Sequence, residues 1–380
     1  MKKTLIALAV LGAAAGVAHA QSNVTIYGIV DTGFIKKSGQ DVYMGENVNN
    51  RLGFRGVEDL GSGVKATFEL ERRFDLNNGV EKGYTRPGFD GAANVGLKSD
   101  TWGAVRLGRV NELTTETIRK FDPFYQYGVG AMLEGNQRSP RISNTIRYDS
   151  PNWSGFHFGA SYSLGGNTDN DSIEGSTAAN GSSPMTDVKA DGADNDGYGI
   201  MLGYDNGPIA LVGNWSRLAD SKKSSVWNLG AAYRFGDAKV ELLYQQTKDK
   251  GWANGERSNW NGGLLSDMAS DGFGDNEYVT AGIDEIKEKQ WLLGLEWKLG
   301  PGRLNASAQW MEVETSGGNA HISDKDIYKY AIGYTYDLSK RTAIYGNVAY
   351  TDYDDEEVAQ LYGDTDDGTY GVQVGITHKF

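Results

Sequence analysis

The stretch RLNASAQW, residues 303–310, decides the fold. Leu304, Ala306, Ala308 and Trp310 point one way, and Asn305, Ser307 and Gln309 the other. Side chains of an extended chain alternate between its two faces, so this stretch is a strand with one apolar and one polar face. The pattern continues on both sides. Upstream, Trp291, Leu293, Leu295, Trp297 and Leu299 oppose Gly294, Glu296 and Lys298. Downstream, Ile344, Gly346, Val348 and Tyr350 oppose Tyr345, Asn347 and Thr351, and Val372, Val374 and Ile376 oppose Gln373, Gly375 and Thr377. Carried to both ends of the chain, it predicts sixteen strands, near 23–36, 50–57, 63–75, 92–100, 103–111, 143–150, 155–164, 196–205, 207–217, 224–236, 237–249, 285–299, 302–315, 326–338, 340–353 and 368–380.

The connections alternate in length. Asp59–Gly63, Asp205–Pro208, Gly236-Asp237, Gly300–Gly302 and Asp337–Lys340 are short; 165–195, 250–284 and 354–367 are long and rich in Asp, Asn, Gly and Ser. Short turns at one end and long polar loops at the other, with an even strand count, are the pattern of a closed transmembrane β-barrel. A soluble β-sandwich also alternates, but it has no need of turn lengths that alternate so regularly. The strand that starts at Asn23 is placed to pair with the one that ends at Phe380 and so close the sheet. The reading is all-β: a transmembrane antiparallel barrel in one domain, residues 21–380.

Residues 1–20 read as a secretory leader. Lys2 and Lys3 precede an apolar run from Leu5 to Val17, and Ala18-His19-Ala20 ends in the small-x-small pattern that signal peptidase accepts. The run is too short for a membrane anchor, and no second long apolar run follows. The chain has no cysteine and a net charge of −13, which argues against nucleic acid, whose phosphates need a basic partner. Glycine is frequent at 52, proline sparse at 7 and tyrosine plentiful at 21, as suits many strands with tight turns and an aromatic girdle.

RLGFRGVEDLG (51–61) followed by GVKATFELE (63–71) reads as a hairpin with Leu52, Phe54 and Gly56 toward lipid and Arg51, Gly53 and Arg55 toward the lumen. This hairpin closely resembles the second and third strands of the Gram-negative porin family, particularly the branch of Burkholderia, Bordetella and Neisseria relatives. VTIYGIVDTG (24–33), VGLKSDTWGAVRLGR (95–109), SNTIRYDSPNWSGF (143–156) and the terminal GITHKF (375–380) match the same branch in the same order. The resemblance implies a homotrimer of sixteen-stranded barrels in the outer membrane of a Gram-negative bacterium. It further implies passive passage of ions and small hydrophilic solutes, and a third loop folded into the lumen. That loop spans about 111–141, and its Phe121, Pro123, Phe124, Tyr125 and Tyr127 make it more aromatic than a solvated loop requires. The Pro-Glu-Phe-Gly-Gly tip of enteric general porins is absent. The resemblance also makes the aromatic-ended last strand, with Phe380, the signal read by the barrel-assembly machinery.

On a strand with lipid on one side, charges of the opposite parity project into water. Arg51, Arg55, Lys65, Glu69, Glu71, Arg73, Lys98, Arg106 and Arg147 are thereby lumen residues, with Arg141 on the parity of Arg147. In the resembled family a basic ladder faces acids of the third loop. Arg51 and Arg141 match ladder positions, and the candidate acids are Glu112, Glu116, Asp122 and Glu134. The family's rung before the fourth strand is replaced by Asp90-Gly91-Ala92, for which Arg73, or Arg72 or Arg86, could compensate. The alternative is that these charges merely solvate a wet wall. The acidic runs 187–196 and 352–367 lack the spacing of a calcium loop and read as solvated outer loops, with divalent ions shared with lipopolysaccharide as an option.

No cofactor and no resident metal is expected, and an enzyme is disfavoured. Of the histidines left without the leader, His157 lies near a turn, His321 in a loop and His378 on the outward parity, so no catalytic set converges. A substrate-specific channel would show an aromatic track along the lumen, whereas the clear aromatics fall on the outward parity. An adhesin would have a narrow, filled barrel of fewer strands.

Overall fold

The computed structural model describes residues 23–79, 88–133, 141–164, 196–218, 224–250, 283–317, 324–362, 364 and 366–380. The leader, Glu134, Arg86 and the acidic run 187–195 lie outside the described residues.

The sheet is antiparallel and closed. Its wall consists of β1 (Asn23–Lys37), β2 (Arg51–Gly61), β3 (Val64–Arg73), β4 (Ala92–Ser99), β5 (Gly103–Asn111), β6 (Arg141–Asp149), β7 (Phe156–Ser163) and β8 (Gly197–Asn206). It continues through β9 (Ile209–Arg217), β10 (Ser225–Phe235), β11 (Ala238–Lys250), β12 (Ile283–Leu299), β13 (Gly302–Gly317), β14 (Lys325–Asp337), β15 (Thr342–Tyr353) and β16 (Gly368–Lys379). These are the sixteen predicted strands, one for one. A further three-residue ribbon, Tyr43–Gly45, pairs with the outer end of β1. Each wall strand pairs with its neighbours in sequence, and β1 pairs with β16 from Ile29↔Lys379 to Lys37↔Gly371. Closure removes the free edges that would leave backbone donors and acceptors bare in hydrocarbon. The two-residue turns after β8, β10 and β12 begin with Gly207, Gly236 and Gly300 at φ of +57° to +61°, a conformation that glycine adopts without a Cβ penalty.

The alternation sorts the side chains as the barrel requires. Leu202, Leu211, Leu229, Leu242, Leu293, Ile332 and Val348 are exposed on the outer face. The inner face of β9–β13, β15 and β16 carries Asn214, Asn228, Gln245, Gln290, Gln309, Asn347 and Gln373. Aromatic residues border the apolar band. Trp215 pairs with Trp227, Tyr244 with Trp291, Trp291 with Trp310 and Trp310 with Tyr328; Tyr330, Tyr350 and Tyr370 continue the row. Toward the other end stand Phe156, Tyr204, Tyr233, Phe235, Trp297 and Tyr336. The girdle thins on one side: the outward face of strands β1–β5 carries Ile26, Phe34, Leu52, Phe68, Val95, Leu97 and Leu107 but neither Trp nor Tyr, and Trp102 stands exposed in the turn between β4 and β5.

Two inward patches break the polar rule. On β8–β12, Met201, Val212, Ala232, Leu243 and Leu292 form a buried cluster with Leu113, Ile118, Phe121 and Met132, which belong to the segment after β5. At the outer ends of β12–β15, Ile286, Met311, Val313, Ile327 and Tyr353 cluster with Val358, Ala359 and Tyr362 of the connection between β15 and β16. The second patch corrects the expectation that 352–367 is simply a solvated loop. Its apolar residues have a seat inside the barrel mouth, and full burial of a side chain the size of valine or larger stabilises by about 1.5–3 kcal/mol.

Candidate pore-lining site

The basic groups gather on the inner wall of β2–β6. Arg51 and Arg73 are cross-strand partners. Arg51 donates from Nη2 to the Tyr127 hydroxyl at 3.2 Å and from Nε to the Asn49 carbonyl at 3.1 Å, with Nη1 3.8 Å from Glu71. Arg73 grips Glu71 Oε1 through Nε and Nη2, each at 2.7 Å. Its Nη1 is buried and has no hydrogen-bond partner among the described residues. Arg141 donates from Nε to the Gly91 carbonyl and lies within electrostatic reach of Arg73, Arg109, Arg119 and Glu71. Arg55 sits lower on the wall, over the Tyr27 ring at 5.1 Å, and Tyr27 donates to Glu69 at 2.9 Å. Arg106 and Arg147 share Asp149 as a partner.

The rung that the sequence lacks before β4 has a substitute that parity conceals. Arg109 is one residue out of phase with inward Arg106, yet its Nε donates to the Asp90 carbonyl at 2.7 Å and its Nη1 to Ser143 at 2.9 Å. The register shifts between Gly108 and Val110, and Gly108 has φ of +125°. A β-bulge there re-aims the side chain. A glycine inside a strand is the signal that could have revealed it. Arg72, offered as a substitute, stands on the outward parity of β3, opposite Leu52.

The segment 112–133 runs along the opposite half of the inner surface. It holds α1 (Leu113–Ile118) and a turn of 3₁₀ helix, Arg119–Phe121. Beyond the shared apolar cluster, Tyr125 donates to Glu296 of β12 at 2.9 Å and Leu133 N–H to Gln309 of β13 at 2.7 Å. Lys329 of β14 donates to the Ala131 carbonyl at 2.8 Å, and Val129 N–H to Gln373 of β16 at 3.3 Å. Phe124 packs on Ala331 and Ala349.

Two of the candidate acids in this segment do not face the arginines. Glu112 is buried as the cap of α1, accepting from Thr115 N–H at 2.8 Å and from the Ser216 hydroxyl at 2.7 Å. A helix start leaves orphan N–H groups, and a carboxylate there is a ready acceptor. Asp122 is also buried and knots the turn, accepting N–H bonds from Phe124, Gln126 and Met132 at 2.8–3.1 Å. Burial pushes its carboxyl above the ordinary range even so. Glu116 is ion-paired with Arg147. The segment instead offers cations that parity rules for strands did not reach: Arg119, over the Tyr127 ring at 5.5 Å, and Lys120, on Asp205 at 2.8 Å. Phe380 lies at the seam, exchanging both backbone hydrogen bonds with Gly28 at 3.0 and 3.1 Å. Glu312, Glu314 and Asp324 bring three carboxylates together, but Lys287 and Lys289 already occupy Glu312 and Glu314.

A family model described as Gram-negative porin matches residues 7–356. The chain belongs to the Gram-negative porin family. An outer membrane porin protein of Bordetella pertussis is 31% identical over the whole of both chains, and outer membrane porin protein 32 of Delftia acidovorans is 32% identical over the same extent. Among solved structures, an anion-selective porin from Comamonas acidovorans superposes with a TM-score of 0.67 at 27% identity, covering 95% of this chain and 100% of that one. The chain is thus an outer-membrane porin barrel, and the family is one of diffusion channels rather than enzymes.

Proposed function

We propose that the protein is a trimeric general porin whose lumen is narrowed by the inward-folded segment 112–133 and lined at its narrow part by arginine, so that small anions are favoured. The observation that carries this reading is the gathering of Arg51, Arg73, Arg109, Arg119 and Arg141 about Glu71, Asp90 and Tyr127, while Glu112 and Asp122 of the facing segment are buried in structural bonds. Like charges held together in a narrow channel raise one another's energy, and a permeating anion relieves it. The net charge is acidic, but exposed loop charges are screened beyond about 10 Å at 0.1 M salt, whereas those of a narrow lumen are screened less. The anion selectivity of the Comamonas porin supports the same sign. The Trp- and Tyr-free outer face of β1–β5 suits contact with neighbouring protomers, and the rest of the girdle suits lipid and lipopolysaccharide. Met1–Ala20 would direct secretion, with cleavage after Ala20, and Phe380 would present the last strand to the barrel-assembly machinery.

The test is the reversal potential of single channels in a salt gradient. Replacing Arg51 and Arg141 with Gln should move it toward cations, increasingly so as salt is lowered. A double variant that keeps the wild-type potential at low salt would show that these arginines do not set selectivity.

A further inference from the structure

The inner wall of a water-filled barrel has no use for a dry apolar patch at its mouth, yet Ile286, Met311, Val313 and Ile327 all point inward at the outer ends of β12–β14 and are almost wholly buried. What covers them is the connection between β15 and β16. It forms α2 (Glu356–Leu361), whose Val358 and Ala359 enter the cluster, followed by Tyr362. Polar bonds fix the seat. Tyr362 donates to inward-facing Glu288 of β12 at 2.6 Å. Tyr353 of β15 donates to Asp364 at 2.5 Å, and Asp355 accepts from Val358 N–H at 2.9 Å while pairing with Lys325 of β14 at 2.7 Å. Leu133, at the end of the segment that lines the lumen, packs against the same cluster. With Val358 and Ala359 turned to the wall, Glu356 and Glu357 are exposed on the free side of the helix.

We propose that α2 is a second selectivity element of the channel: a strap seated inside the outer mouth, which narrows the vestibule and places Glu356 and Glu357 where a permeating ion passes before it reaches the arginines. The proposal rests on the porin reading. It adds that the mouth opposes the deeper site in sign, so that the charge profile along the pore is asymmetric, voltages of opposite sign act on it differently, and the open channel rectifies. The apolar seat separates this helix from an ordinary acidic loop, because a tethered carboxylate acts on the pore whereas one on a freely solvated loop is screened.

The experiment compares three variants with the wild type in planar bilayers at low salt. All are first checked for the heat-modifiable mobility of a folded barrel. Wild-type conductance establishes the channel itself, so its absence would count against the porin reading and not against this one. Glu356→Gln with Glu357→Gln should reduce rectification and shift the reversal potential toward anions. Val358→Ala with Tyr362→Ala, which removes the seat and leaves the charges, should raise single-channel conductance and likewise reduce rectification. Combining all four changes should add nothing to the seat variant, because charges that are no longer held at the mouth no longer act there. The proposal is overturned if the charge variant leaves rectification and reversal potential unchanged. It is equally overturned if the seat variant keeps wild-type conductance, or if the charge changes act in full after the seat is removed.

Discussion

Tyr127 stands where the proposed narrowing is most sensitive to a single charge. Burial raises its phenol, but the guanidinium groups of Arg119 and Arg51 outweigh that and hold it down at about 8. The hydroxyl accepts from Arg51 Nη2, so ionisation strengthens an existing bond and requires no rearrangement. Below about pH 8 the group is neutral, and above it the group carries a negative charge among the arginines. Between pH 7 and 9 the reversal potential in a salt gradient should therefore move toward cations, along a single titration step. Tyr127→Phe should hold the low-pH selectivity across that range. A phenylalanine variant that shifts as much as the wild type would assign the step to another group.

Among the elements, the seam between β1 and β16 is the one on which closure depends. A Cβ at Gly28 would lie 2.6 Å from the Arg51 carbonyl and would run into the Phe380 ring, so glycine at this position is what lets three backbones and a terminal aromatic meet. Gly28→Val should sharply lower the yield of folded barrel, seen as loss of the heat-modifiable band, while secreted protein persists. Deleting Phe380 should do the same by removing both bonds to Gly28. Elements of this kind were legible in the sequence because each strand carries its own signal: one face meets lipid and the other water, whatever its neighbours are. Parity likewise placed Arg51, Arg55, Arg73, Lys65, Lys98 and Arg106 on the inner wall. It failed where the backbone leaves that period. The bulge at Gly108 brought Arg109 to the site, and α1 turned Glu112 into a cap. Asp122 was legible as an acid in the right segment, but its three N–H partners come from residues up to ten positions away in an irregular turn that no period describes. The acidic run 352–367 misled for a related reason. Its charges mark it as a solvated loop, and the few apolar residues that seat it become informative only beside the inward patch on β12–β14.

Over the whole molecule, the barrel is asymmetric around its circumference. Trp and Tyr border the apolar band along β8–β16, where the row from Trp215 to Tyr370 fits a water–lipid boundary, and they are missing from the outer face of β1–β5. Trp and Tyr are favoured where an apolar ring must keep a polar tip wet, so a stretch without them is not built to end at a lipid headgroup. Val95 and Leu97 of β4 lie in that stretch and are exposed in the single chain. If it is the contact between protomers, the native species in mild detergent should have the mass of three chains. Val95→Arg together with Leu97→Lys should then release monomers that remain folded, because detergent tolerates charges that a packed apolar interface does not. If the stretch faces lipid instead, the same changes act on insertion: a charge near the bilayer midplane costs about 2–4 kcal/mol in such barrels, so the amount of folded barrel in the membrane would fall while its oligomeric state stayed the same. Native mass and folded yield, measured on one preparation, separate the two. A monomeric wild type would remove the interface altogether and leave the thinning of the girdle without this explanation.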